Sequence, residues 1–203
     1  MVGLHLNFTD GLPLTDGMKR STRFCVGGRF RFPMLGRGLF PLSAGDQQIV
    51  RDETLAQFAR ARAAGLPITH LDSHHHVHMM PNLASVLLAV ATALGVRRVR
   101  RFSNCGPNEG WFRRLKGAVF GRQLKRMGCE STQYFGDVDD VRWMIAQGKV
   151  MDGSLEIVTH PTLGPEGAIV DGNDGESLSE RILGLRPFLP SLIDEAGRIS
   201  RPR

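Results

Sequence analysis

Strand and helix signals alternate along these 203 residues, which predicts an α/β fold on a parallel sheet or a β/α barrel. Three observations carry that prediction. Short β-rich runs recur at residues 2–8, 68–72, 96–102 and 154–159. Helix-length segments with start and stop signals lie between them. Twenty-four glycines supply the many tight connections such a fold needs.

The first run alternates Val2, Leu4, Leu6 and Phe8 with Gly3, His5 and Asn7, a period-2 strand whose second face is polar. Residues 9–45 are rich in Gly, Pro and Arg and read as a long excursion of loops with short pieces of structure. Asp46 is a cap for a helix to Ala64, closed by Gly65 and Pro67. Ile68–Asp72 follows as a strand. Asn82 is the expected cap of a helix from Leu83 to Leu94, stopped by Gly95. Val96–Phe102 reads as the next strand and 111–127 as a basic amphipathic helix. Asp137, Asp139 and Asp140 open another helix, where acids suit the N-terminal dipole. Ser154–Thr159 is a strand, and the tail from Ser177 is helical in composition, broken by Pro187 and Pro190. A single domain is expected at this length. Complete β/α barrels usually need about 250 residues, so the chain is short for one.

Composition narrows the function classes. Hydrophobic residues are 41% and charged residues 23%, ordinary for a globular protein and too apolar for a disordered one. The longest apolar stretch, Leu83–Val96, is 14 residues and interrupted by Ser85, Thr92 and Gly95, which suits a buried helix and not a membrane span. The start, MVGLHLNF, has no basic n-region. Cys25, Cys105 and Cys129 are odd in number and widely spaced, as expected of reduced thiols in a cytoplasmic protein. The net charge is +6, and between Arg97 and Arg126 ten Lys/Arg face one acid, Glu109. That density can attract phosphates or an anionic surface, although a solvated helix face beside a basic strand explains it as simply.

Chemistry concentrates in histidines. Five of the seven fall between His70 and His78, in the run HLDSHHHVH. Imidazole is a common ligand of zinc and similar metals, and Asp72 can bind a metal or orient a histidine that does. The run follows a strand, at the edge where β/α folds build sites. His74 and His78 have the i, i+4 spacing that would put two imidazoles on one face of a helical turn. His5 lies on the polar face of the first strand, and His160 ends the strand that begins at Ser154, where it can serve as a general acid or a ligand.

Three blocks, VGLHLNFTDGLPL, THLDSHHHVHMMP and EIVTHPT, together resemble the YdjC/ChbG-like carbohydrate deacetylases, a family that includes the HpnK-type proteins. The resemblance runs from residue 2 to about residue 163, and the middle block is its most specific part. It implies a deformed β/α barrel, one divalent metal ion (Mg or Zn) and hydrolysis of an N-acetyl group from an amino sugar or related glycolipid. It carries the metal ligands onto His5 and His74 and the candidate acid onto His160. Asp72, His76 and His78 fall at positions that support the ligands or face substrate. Arg100 or Arg101 is placed to contact sugar hydroxyls.

The family's opening Asn-Ala-Asp-Asp-Phe-Gly motif, which supplies a metal carboxylate and the general base, has no counterpart in these 203 residues. The expectation is a barrel lacking its first β/α unit, with an unpaired edge beside the first strand that invites a homodimer. Two rival readings stand beside deacetylation: a catalytically inactive homologue that binds sugar or metal, and a nucleic-acid binder using residues 97–126. The second has no recognised motif and leaves the histidines unexplained, so no nucleic-acid partner is expected.

Overall fold

The computed structural model describes residues 2–31, 40–107, 110–149 and 152–185. They form two compact units: Met1–Phe102 with Trp111–Ser131, and Ser103–Gly110 with Thr132–Arg203.

The first unit is built on a three-stranded sheet. Strand β1 (Val2–Leu6) pairs in parallel with β4 (Ile68–Ser73), which pairs in parallel with β5 (Arg98–Val99), in the order β1-β4-β5. The register sets Gly3 beside His70 and His5 beside Asp72. Side chains alternate along a strand, so this register sorts the sheet into two chemistries. Leu6, Leu71 and Val99 are buried in one apolar core with Val50 and Phe58 of helix α2 (Ala44–Ala63) and Leu83, Leu87 and Leu88 of α3 (Pro81–Ala93). The alternate positions Gly3, His5, His70 and Asp72 are polar or bare. A Cβ at Gly3 would lie 2.3 Å from His70 Nε2, so a side chain there would displace the His70 ring. Between β1 and α2 come a short helix α1 (Asp16–Arg20) and a small hairpin of β2 (Cys25–Val26) and β3 (Arg29–Phe30), the short pieces expected of that excursion. Helix α4 (Trp111–Arg126) completes the unit.

Several expected boundaries move, each for a local reason. The first strand stops at Leu6 and not Phe8. Gln57 takes both the N–H and the carbonyl of Asn7 (2.9 and 2.7 Å), and the Asn7 amide oxygen then accepts from Thr9 and Asp10 N–H in a turn. The cap of α2 is Ser43. Asp46 is the third helical residue and returns a bond to the Ser43 N–H, completing a capping box. Helix α3 begins at Pro81, whose fixed φ suits the first turn. Asn82 instead donates to the Phe40 carbonyl at 3.0 Å. The expected strand 96–102 is reduced to Arg98–Val99, since the ladder ends where the Arg100 N–H meets Leu71 O at 3.0 Å.

The second unit holds a parallel pair, β6 (Tyr134–Asp137) with β7 (Leu155–Val158), and an antiparallel pair, β8 (Pro161–Leu163) with β9 (Ile169–Asp171). Helix α5 (Val138–Ala146) starts from Asp137, whose carboxylate accepts from Asp140 N–H at 2.7 Å. Helix α6 (Leu178–Leu183) follows β9, and the expected breaks at Pro187 and Pro190 lie outside the described residues. Cys105, Val138, Val141, Met144 and Leu185 form this unit's own core. All three cysteines are buried free thiols. No helix among the described residues is long and apolar enough to cross a membrane.

Candidate active site

The site grows from the polar face of the first unit's sheet. His5 and Asp72 are register partners, and the ring's Nδ1 lies 2.9 Å from Asp72 Oδ1. The other carboxylate oxygen pairs with the Arg100 guanidinium, just beyond β5. Asp72 is thereby held from two sides while its side chain is only 9% exposed. Burial alone would raise its pKa. The hydrogen bond with His5 and the Arg100 charge outweigh that and hold the carboxyl below its usual value. The sequence left Arg100 and Arg101 unranked; Arg100 is the one paired with Asp72.

His74 opens the loop after β4. Its ring centroid is 5.8 Å from that of His5. Its Nδ1 is 2.8 Å from Thr9 Oγ1, and His75 Nδ1 reaches the same hydroxyl at 3.0 Å. Burial lowers the His74 pKa, and the neighbouring His75 and His5 add to it, while the Asp10 carboxylate pulls the other way. A neutral imidazole is the form that binds metals. With Nδ1 of both rings engaged, Nε2 is the nitrogen each has left for a ligand.

The expected pairing of His74 with His78 on one helical face fails. His75 (φ 51°) and His76 (φ 55°) both lie in the left-handed region, which breaks the 3-10 turns of residues 74–79 into pieces. Such backbone is unfavourable for a residue with a Cβ and persists only where its surroundings fix it. The reversal sends His78 inward. It is fully buried, with Nδ1 2.6 Å from Ser73 Oγ and Nε2 donating to the Arg100 carbonyl at 3.0 Å. Burial drives its pKa down to about 4. His78 is closed off from solvent and pins the backbone that carries Arg100. His76 is exposed, with its ring 6.4 Å from that of His78.

His160 follows β7 in the second unit, at the strand end its sequence predicts. It is exposed, and the Asn173 amide lies 2.9 Å from its Nδ1.

Sequence reasoning passed over three supports of the site. Thr9, 3% exposed, links His74 to His75. Asp10 supplies a carboxylate charge that favours protonated His74. Glu53 of α2 is wholly buried and accepts from the N–H groups of Leu14 and Thr15 and the Thr15 hydroxyl, so it ties down the segment after β1. Thr9 and Asp10 sit inside the first block, four and five residues after His5. A buried Glu on an otherwise charged helix gives no such signal.

Comparison with known proteins places these features in a family. A carbohydrate deacetylase of Vibrio campbellii is 39% identical over 168 residues, 79% of this chain and 56% of that protein. A chitooligosaccharide deacetylase of Escherichia fergusonii is 34% identical over 169 residues, 79% of this chain and 60% of that protein. The chain thus spans somewhat over half the length of these two relatives. A solved structure from Enterococcus faecalis V583, of a protein named for cellobiose-phosphate cleavage, shares the fold with a TM-score of 0.59 at 17% identity. That match covers 98% of this chain and 75% of that one. The model of the YdjC-like protein family matches residues 1–186, and the chain belongs to that family.

Proposed function

We propose that the protein is a metal-dependent hydrolase that removes N-acetyl groups from amino sugars or related glycolipids, with His5 and His74 as its metal ligands. The observation that carries this reading is a buried carboxylate holding Nδ1 of His5 beside a His74 whose Nδ1 is also engaged. Histidine ligands are commonly fixed in this way by a carboxylate on the far nitrogen, which sets the tautomer and raises basicity. The donor set is self-consistent. His5 Nδ1–H donates to Asp72, His74 Nδ1–H donates to Thr9 Oγ1, and the Thr9 hydroxyl donates to His75, leaving two Nε2 lone pairs. Two imidazoles favour zinc by ligand softness, whereas carboxylates and waters would suit magnesium.

A divalent ion held there would polarise the amide carbonyl and acidify a bound water. The proton of that water would go to a carboxylate of an upstream Asp-Asp-Phe-Gly segment, and groups of this chain take the other roles. Asp72 keeps the His5 ring from turning while its other oxygen is held by Arg100, so both carboxylate oxygens are engaged and Asp72 is not placed to act as the base. Arg101 and His76 are proposed to meet the sugar hydroxyls, and His160 to protonate the leaving amine. The names of the two deacetylase relatives support the substrate class. The alternating parallel strands and helices support a deformed β/α barrel. Among the described residues β1 lies at the edge of its sheet, which supports a homodimer paired along that strand.

A second reading, binding without turnover, is favoured by donor count. Among the described residues, no group of three or more His, Cys, Asp and Glu could hold a metal. Acetate release from a chitooligosaccharide, with and without a chelator, separates the two. It would be measured on this chain and on the chain extended upstream by a segment carrying Asp-Asp-Phe-Gly. Chelator-sensitive release by the extended chain, abolished by His74→Ala, supports the hydrolase. Metal binding without release by either supports the inactive homologue. Chelator-insensitive release would overturn the mechanism.

A further inference from the structure

Helix α4 has two apolar faces. Phe120 and Leu124 are buried in the first unit's core, and the Phe120 ring lies edge-on to His78 at 5.9 Å and to Phe102 at 5.8 Å. On the other side Trp111, Phe112, Leu115 and Val119 are 77%, 54%, 50% and 52% exposed. At roughly 100° per residue, these four fall within about 100° of arc, away from the buried pair. The helix also carries Arg113, Arg114, Lys116, Arg122, Lys125 and Arg126 and no acid. Arg122 and Arg126 continue the exposed arc toward the C-terminus. The Lys116 ammonium lies 4.3 Å from the centre of the Phe112 ring.

We propose that α4 is a docking face for an anionic phospholipid bilayer. Trp111, Phe112, Leu115 and Val119 enter the headgroup boundary, and the surrounding cations meet lipid phosphates. A helix with Trp, Phe and Leu on one arc amid Lys and Arg is the pattern that lies in a membrane interface. Charge complementarity selects this occupant. A second copy would bring six more cations against the six already there. The chain's segments 32–39 and 186–203 are themselves net positive and cannot neutralise the face. Nucleic acid fits the charge but not the stripe: Leu115 and Val119 offer bases no stacking face, and the Trp111 and Phe112 rings are inclined at 69° to each other. The inference stands apart from the deacetylase reading, since its test reads binding and not turnover.

The test is co-flotation of the 203-residue chain with phosphatidylcholine vesicles, with and without phosphatidylglycerol, over a series of salt concentrations. Trp111 fluorescence in a Trp143→Phe background reports insertion. Flotation should require the anionic lipid, weaken with salt, and bring a blue shift of Trp111. The double variant Trp111→Ser/Phe112→Ser should bind at least tenfold more weakly. Arg122→Ser and Arg126→Ser should each lose about fivefold. All these side chains are exposed, and circular dichroism on each variant checks that its helices are kept. Four results would overturn the proposal: no flotation, equal binding to neutral vesicles, a stable dimer in which Trp111 ignores vesicles, or RNA binding that the double variant leaves unchanged.

Discussion

Asp72 and Arg181 each anchor a charged cluster, and the two are built in opposite senses. In the first unit the carboxylate is central: Asp72 is buried and shared between Arg100 and His5, whose side chain is 53% exposed. In the second unit the arginine is central. The Arg181 side chain is 7% exposed and ringed by Asp139, Asp171, Asp174 and Glu176. The Arg181 cluster spends its charge inward, tying α6 to the start of α5 and to the turn after β9. The Asp72 cluster holds a half-exposed imidazole in one orientation and leaves its outer nitrogen to solvent. The candidate functional cluster differs from the structural one here by presenting a half-exposed imidazole, not by how many charges it gathers.

Substitutions can break that contrast, and the largest effect belongs to the first unit. In the chain extended upstream by a segment carrying Asp-Asp-Phe-Gly, His74→Ala should abolish metal-dependent acetate release, and Asp72→Asn should weaken metal affinity about 10–100-fold by freeing the His5 ring. Calorimetry and acetate assays on the two variants measure both. Arg181→Met should do the reverse. It should lower stability by about 2 kcal/mol, because three of its four acids remain exposed enough to be hydrated. That corresponds to a fall in melting temperature of roughly 4–8 °C at this chain length, with metal binding unchanged. An Arg181→Met protein that lost metal would erase the distinction.

The sequence made the first cluster readable because its parts lie in short, spaced blocks. His5 and Asp72 each sit on a strand's polar face, and parallel register brings them together. The second cluster was not legible. Asp139, Asp171 and Arg181 meet only through the packing of α5, β9 and α6, and nothing in their spacing announces it. His78 was misread for a related reason. Spacing of i, i+4 speaks only for a continuous helix, and two left-handed residues intervene. Strand β5 is shorter than its sequence suggests because only two residues of β4, His70 and Leu71, and the lone bridge of Arg98 to Glu130 pair with it.

The buried His78 sharpens the comparison through pH. Its folded pKa of about 4 lies below the ordinary 6.5. The stability it contributes is therefore complete above pH 6.5 and lost as pH falls toward 4, amounting to about 3 kcal/mol. Urea midpoints between pH 7 and 4 measure the slope, which His78→Gln should flatten. The smallest effect belongs to an exposed pair. Lys19 and Asp16 in α1 meet at 3.1 Å with side chains 40% and 76% exposed. Lys19→Ala should cost less than about 0.5 kcal/mol in the same unfolding assay.

Two imidazoles sharing one ion are the centre of the proposed site. Calorimetric titration of zinc into the chain, its His5→Ala and His74→Ala variants, and Asp72→Asn tests that directly. The account predicts one site in the parent chain, lost in either histidine variant and weakened in Asp72→Asn. Undiminished binding in His5→Ala and His74→Ala alike would place the metal elsewhere and contradict it.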